Sequence, residues 1–135
     1  MSVQAVVIDD TGDAGNILSK GIQRIKWSWT ATDAGVVADS LVSGLNPTTE
    51  WQHTGECIRL ITNPDDSAAP TDNYDVTILD EDGYDVLMGA GIDRDTANTE
   101  QVLKTSLGIC LGSKLSLRIA NAGNATKGVV ILYIK

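Results

Sequence analysis

The feature that most limits what this chain can fold into is its punctuation. Thirteen glycines and three prolines recur roughly every ten residues, and the stretches between them are short and alternate with a period of two. In Ile25-Lys26-Trp27-Ser28-Trp29-Thr30-Ala31 the residues Ile25, Trp27, Trp29 and Ala31 fall on one face, with Arg24, Lys26, Ser28 and Thr30 on the other. That pattern predicts a strand with one buried and one wet side. Leu115, Leu117 and Ile119, alternating with Lys114, Ser116 and Arg118, predict a second. Val129-Val130-Ile131-Leu132-Tyr133-Ile134 is apolar on both faces and reads as a central strand covered on two sides.

Further strands are expected at residues 5–8, at residues 57–62 (ended by Asn63-Pro64), at residues 100–105 and, more weakly, at residues 36–42, where Asp39 and Ser40 interrupt. Tyr74, Val76 and Ile78, followed by Tyr84, Val86 and Met88, predict a hairpin closed by Asp80-Glu81-Asp82-Gly83. Residues 46–55, 65–73 and 92–99 read as loops. Only residues 96–107 hint at a short helical turn. A length of 135 residues fits one domain. The expected fold is a single all-β domain over residues 1–135, a two-sheet antiparallel sandwich, jelly-roll-like, of about eight to nine strands.

Hydrophobic residues make up 42% of the chain, enough to expect a folded core. No apolar run nears the roughly 18 residues of a spanning helix, and no signal peptide opens the chain, so no membrane partner is expected. The net charge of −8 is unevenly spread: residues 65, 66, 72, 75, 80, 81, 82, 85, 93 and 95 are acidic, with Arg94 the one base among them. Such a region repels phosphate backbones, so no nucleic-acid partner is expected. It reads either as a solvated face or as a surface that docks on a basic one.

Candidate chemistry is sparse. His53 is the sole histidine and sits in none of the usual nucleophile or metal motifs, so it reads as an exposed loop side chain. Cys57 and Cys110 are widely separated and read as free, buried and structural, in a chain made in a reducing cytoplasm. Aligning Asp80-x-Asp82-Gly83 with a calcium loop puts Ile78 at the first ligand position, so the motif fails. A looser calcium site from Asp80, Asp82 and Asp85 stands as the alternative to an ordinary acidic turn. Carboxylate pairs for sugar hydrolysis are defined only in space, and the aromatic residues are scattered and include no phenylalanine. No catalytic, cofactor or metal residues are assigned, and the chain reads as a non-enzyme.

Two features point to contacts with other molecules. Trp51 places a large ring in a polar loop, where a subunit or partner contact would use it. Residues 1–8 carry Val3, Ala5, Val6, Val7 and Ile8 ahead of the polar residues 9–13. Residues 1–13 can therefore form an N-terminal arm that adds a strand to a neighbour's sheet, or pairs within its own.

Taken together, the Ile25-to-Thr30 strand, Ala69-Pro70-Thr71-Asp72-Asn73-Tyr74-Asp75-Val76-Thr77, the turn Asp80-Glu81-Asp82-Gly83-Tyr84-Asp85-Val86-Leu87, and the close from Asn121-Ala122-Gly123 to Ile134 resemble the decoration, or cement, proteins of tailed-bacteriophage capsids. The resemblance implies a jelly-roll virion protein on the capsid exterior, made in the host cytoplasm, that clamps the major capsid protein as a homo-oligomer, a trimer or a dimer. A phage tail or head-fibre component and a carbohydrate-binding sandwich are the alternatives.

Overall fold

The computed structural model describes residues 4–10, 21–39 and 45–135. Within them lie β1 (Ala5–Asp10), β2 (Gln23–Thr30), β3 (His53–Pro64), β4 (Asp75–Leu79), β5 (Glu100–Leu103), a 3-10 turn (Lys104–Ser106), β6 (Ile109–Ser113), β7 (Ser116–Ala120) and β8 (Lys127–Ile134). The large sheet has the order β1-β2-β8-β3-β5, and β6 also pairs β3. Because β8 takes the opposite edge, β5 and β6 form one broken edge strand, interrupted by the 3-10 turn. The second sheet is the antiparallel pair β4-β7. Isolated bridges extend it on both sides: Val37 and Thr48 pair with Ile119 and Ser116, and Asp85 pairs with Leu79. With these additions the two sheets follow the strand order of a jelly roll.

The alternation read in the sequence is what builds the core. Strand β2 buries every second residue, setting Ile25, Trp27 and Trp29 against Val76 and Ile78 of β4, Leu117 and Ile119 of β7, and Leu132 of β8. Trp27 is wholly buried, and its Nε1 donates to the Pro47 carbonyl at 2.8 Å, so its polar atom is satisfied inside the core. Trp29 tilts against Tyr74, with ring centroids 5.9 Å apart. Gly128 of β8 lies opposite Trp29, and a Cβ there would come within 2.7 Å of the indole.

Several expectations need correction. The 74–78/84–88 hairpin is not a two-stranded ladder: after the bridge at Asp85, the Asp85 carboxylate accepts the amides of Ile78, Leu87 and Gly89 and turns the chain. Met88 takes a positive φ of 53° and is exposed, while Leu87 enters the core. Strand β8 is central but not covered on two sides, since Val129, Ile131 and Tyr133 remain partly exposed. Residues 9 and 10 belong to β1 rather than to a polar hinge. Strand β3 begins four residues earlier than the apolar run that marked it, at His53. Strand β6 was not expected at all. Of the weak 36–42 strand, Val37 forms a bridge, and residues 40–42 lie outside the described residues.

Two outcomes follow from this packing. Gly128→Ala forces a methyl group into the buried Trp29 ring and should lower stability by about 1–3 kcal/mol, read as a shifted urea midpoint. Tyr74 is buried, and burial pushes its phenol up to about 12, with the Thr62 hydroxyl offsetting part of the effect. In the unfolded chain the phenol ionises near its ordinary value of about 10, so the folded state holds a proton that the unfolded state releases. Stability should therefore be constant with respect to this group below about pH 10 and decline between about pH 10 and 12. Comparing urea midpoints across that range for the wild type and Tyr74→Phe should show a shallower decline in the variant.

Candidate functional site

His53 opens β3 and is 1% exposed, not the exposed loop side chain its sequence context implied. Its Nδ1 lies 2.6 Å from Oε1 of Gln23, the first residue of β2, and Gln23 Nε2 donates to the Thr54 carbonyl at 2.9 Å. With the amide nitrogen committed to Thr54, the oxygen faces the ring and Nδ1 carries the proton. The arrangement ties β2 to β3 through a buried polar pair. It has the form of a structural clasp.

The acidic residues are likewise occupied within their own loops. Asp65 accepts the amides of Ser67 and Ala68, Asp80 those of Asp82 and Tyr84, and Asp95 those of Ala97 and Asn98. Asp75 accepts from the Asp93 amide and from Asn121 Nδ2. The contacts of Asp65, Asp80 and Asp95 are side-chain-to-backbone turns, in which a carboxylate supplies the acceptor that a ladder would otherwise provide, whereas those of Asp75, at the start of β4, join segments distant in sequence. Asp80 Oδ1 and the two oxygens of Asp85 accept from separate sets of amides. Among the described residues no group of three or more His, Cys, Asp or Glu side chains converges as a metal cage. On the outer side of β7, partial burial works to raise the Asp39 carboxyl, but hydrogen bonds from Arg118 and Ser116 and the Arg118 charge bring it below its ordinary value.

The two cysteines, far apart in the sequence, lie side by side. Cys110 pairs with Gly55, and the Cys57 amide donates to the Gly108 carbonyl at 3.0 Å. Both thiols are free and buried, and the register makes the two residues diagonal neighbours.

The surface that sets this molecule apart is the outer face of the large sheet. In an antiparallel sheet with one face in water, that face is ordinarily polar. Here Val129, Ile131 and Tyr133 of β8 run down its middle, flanked by Ile61 of β3 and Ser28 and Lys26 of β2. Arg24 and Arg59 lie across the Tyr133 ring, their guanidinium carbons 5.9 and 5.7 Å from its centroid, in cation–π contact. Val7, Leu103, Ile109 and Leu111 are exposed toward the sheet edges. A groove of about 390 Å³ crosses one end of the face, lined by Ala5, Val7, Ser28, Thr30, Asn63 and Val129 among others. Arg24, Lys26 and Arg59 gather around Tyr133 and Ile131, with Asp9 and Glu56 beside them, while Lys127, Asp65 and Asp66 border the groove at the other end, in a chain whose net charge is −8.

The residues singled out from the sequence for contacts divide. Val6 is buried in the chain's own core and Ile8 packs against it. Ala5 and Val7 face outward on the same sheet face as Val129, and Val3 lies outside the described residues. Strand β1 pairs with β2 along its whole length, so residues 5–8 form part of their own sheet and place it at an edge. Trp51 is 56% exposed, in the loop before β3. The basic, apolar sheet face was missed in the sequence, although the outward set Arg24, Lys26 and Ser28 was legible there.

Replacing Gln23 by Leu leaves the His53 Nδ1 proton without its acceptor inside the sheet. The variant should lose about 1–3 kcal/mol of stability, measurable as a lower urea midpoint with an unchanged denaturant slope. Among the described residues no helix is long and apolar enough to cross a membrane. No protein-family model matches this chain, and no curated protein or solved structure was found to match it.

Proposed function

We propose that the protein is a non-enzymatic virion component of a tailed bacteriophage that decorates the capsid exterior and clamps neighbouring major capsid subunits. The observation that carries this reading is the outer face of the large sheet, which sets an aliphatic and aromatic strip among arginines and lysines on a chain that is otherwise acidic. A face of that kind suits a large protein surface with acidic rims, where the apolar strip gives contact area and the charges set orientation and encounter rate. Asp65 and Asp66 border the groove, while Asp80, Glu81, Asp82 and Asp85 lie in the turn that follows β4 of the second sheet. Turned to solvent, they would limit adhesion between particles.

Copies would associate around a symmetry axis, as a trimer or a dimer, since a 14.3 kDa sandwich has limited surface with which to bridge several shell subunits alone. The exposed edge of β1 offers one place for such association. A sugar-binding reading would draw support from a row of exposed rings, but Trp51 and Tyr84 stand in separate loops, and Tyr133 is clamped between arginines.

The test is co-sedimentation with capsids of the same phage that lack the protein, followed by thermal challenge of the decorated shells. The wild-type chain should pellet with the shells and raise their disruption temperature, because it binds only the assembled state. The double variant Arg24→Glu/Arg59→Glu should bind at least tenfold more weakly, and wild-type binding should weaken with added salt. A wild-type chain that stays in the supernatant at every salt concentration would remove this reading.

A further inference from the structure

Cys57 and Cys110 stand in an arrangement that a pair of inert core thiols does not require. Each has a glycine opposite it in the β3–β6 ladder: Gly55 faces Cys110, and Gly108 receives the Cys57 amide. No Cβ therefore stands between the two side chains, and the register makes Cys57 and Cys110 diagonal neighbours across the two strands. Their exposures are 0% and 2%, and Cys110 Sγ lies 3.8 Å from the Gly55 carbonyl oxygen.

We propose that Cys57 and Cys110 form an oxidisable pair, a covalent modification site at which a peroxide closes a disulfide that ties the edge strand β6 to β3. Diagonal neighbours in a regular antiparallel ladder are about 7–8 Å apart, slightly beyond the roughly 4.4–6.8 Å between Cα atoms that a disulfide spans. This ladder is not regular. Its register shifts between His53 and Gly55, and β3 shifts again against β8 between Cys57 and Arg59. Among the described residues strand β6 pairs with β3 alone, so it can move by the small distance that closure needs without breaking a ladder on its other side.

The chemistry balances with a peroxide as the oxidant. Interaction between the two sulfurs lowers the Cys110 thiol against the opposing effect of burial and, together with burial, pushes Cys57 up. Cys110, on the edge strand and the less deeply buried of the two, is the sulfur that a peroxide meets first. Its thiolate attacks the peroxide: an S–O bond forms, the O–O bond breaks, and hydroxide leaves and takes up the released proton. The Cys57 sulfur then attacks the resulting sulfenic acid. The S–S bond forms, the S–O bond breaks, and the oxygen departs as water with the Cys57 proton. Two thiols and one hydrogen peroxide become one disulfide and two waters. A reducing cytoplasm keeps the pair open and oxidising surroundings close it. The inference stands independently of the capsid reading.

The experiment uses the full chain, purified with reductant, transferred to reductant-free buffer and treated with hydrogen peroxide while folded. Intact mass, peptide mapping and thiol counting after denaturation follow. The expected product is a monomeric chain that has lost two hydrogens in the peptides carrying Cys57 and Cys110. It should have no titratable thiol and a raised thermal midpoint, and dithiothreitol should reverse all three changes. Oxygen gained at exposed Met88 is separated from the cysteine chemistry by the mapping. Cys57→Ser and Cys110→Ser should each gain oxygen on the remaining cysteine, or cross-link between chains, in place of losing two hydrogens. If one variant fails to fold, the other and the wild type still decide. Retention of both thiols, oxygen addition at either cysteine without closure, or closure only in denaturant would each overturn the proposal.

Discussion

The large sheet depends on one strand that pairs on both sides. Strand β8 holds β2 along one edge, from Gln23 opposite Ile134 to Thr30 opposite Lys127, and β3 along the other. Among the described residues no other strand joins those two. The inward residues of β8, Val130, Leu132 and Ile134, are fully buried, and Gly128 has no side chain because Trp29 occupies that space. Since β8 follows β2 by roughly a hundred residues, the contacts that bury Ile25, Trp27 and Trp29 close late and over a long loop, which is the costly order for a β fold. The alternation in β2 alone cannot hold that face dry.

With the core fixed in this way, the second layer is organised by its carboxylates. The connections around β4 contain few apolar residues, and their backbone amides find acceptors in Asp65, Asp75, Asp80, Asp85 and Asp95. Loops of that composition would otherwise leave amides without fixed partners. The same substitutions of side chain for ladder concentrate negative charge in these loops. On the outer face of the large sheet Arg24, Lys26 and Arg59 gather around Tyr133, while Asp65 and Asp66 border the groove. A single sequence choice, acids in the loops, therefore shapes the turns and also sets where negative charge collects.

What could be read from the sequence follows from where period-two patterning is pure. The Ile25-to-Thr30 and Leu115-to-Ile119 stretches alternate without interruption and became β2 and the heart of β7. Pattern reading failed where a side chain competes with the backbone: Asp85 captures three amides and ends a strand that Tyr84, Val86 and Met88 seemed to continue. It failed again at β6, a short edge strand that Gly108 precedes and Gly112 interrupts and whose burial pattern is irregular. The clasp of His53 with Gln23 and the meeting of Cys57 with Cys110 are products of register across strands distant in sequence. Local spacing carries no signal for either. The basic sheet face is an intermediate case, since its β2 members were legible but their neighbours on β3 and β8 required the strand order.

These misreadings cluster at one corner, where β6 meets the start of β3, and the clustering has a physical basis. Apolar packing is thin there: Ile109 and Leu111 point outward, and among the described residues β6 pairs with β3 alone. The corner is held instead by polar contacts, with the Gly112 amide donating to Thr54 Oγ1 at 2.7 Å, the Glu81 amide to Ser113 Oγ at 2.8 Å, and the Lys114 amide to Glu81 Oε2 at 3.4 Å. Through Glu81, the acidic turn between β4 and Asp85 is joined to the edge strand. An edge secured by a few hydrogen bonds over irregular register opens at lower free energy than the three-strand centre β2-β8-β3. That difference lets a small oxidant reach thiols that are closed to solvent in the folded state, and it makes this corner the place where a covalent tie would change the motion of the molecule most.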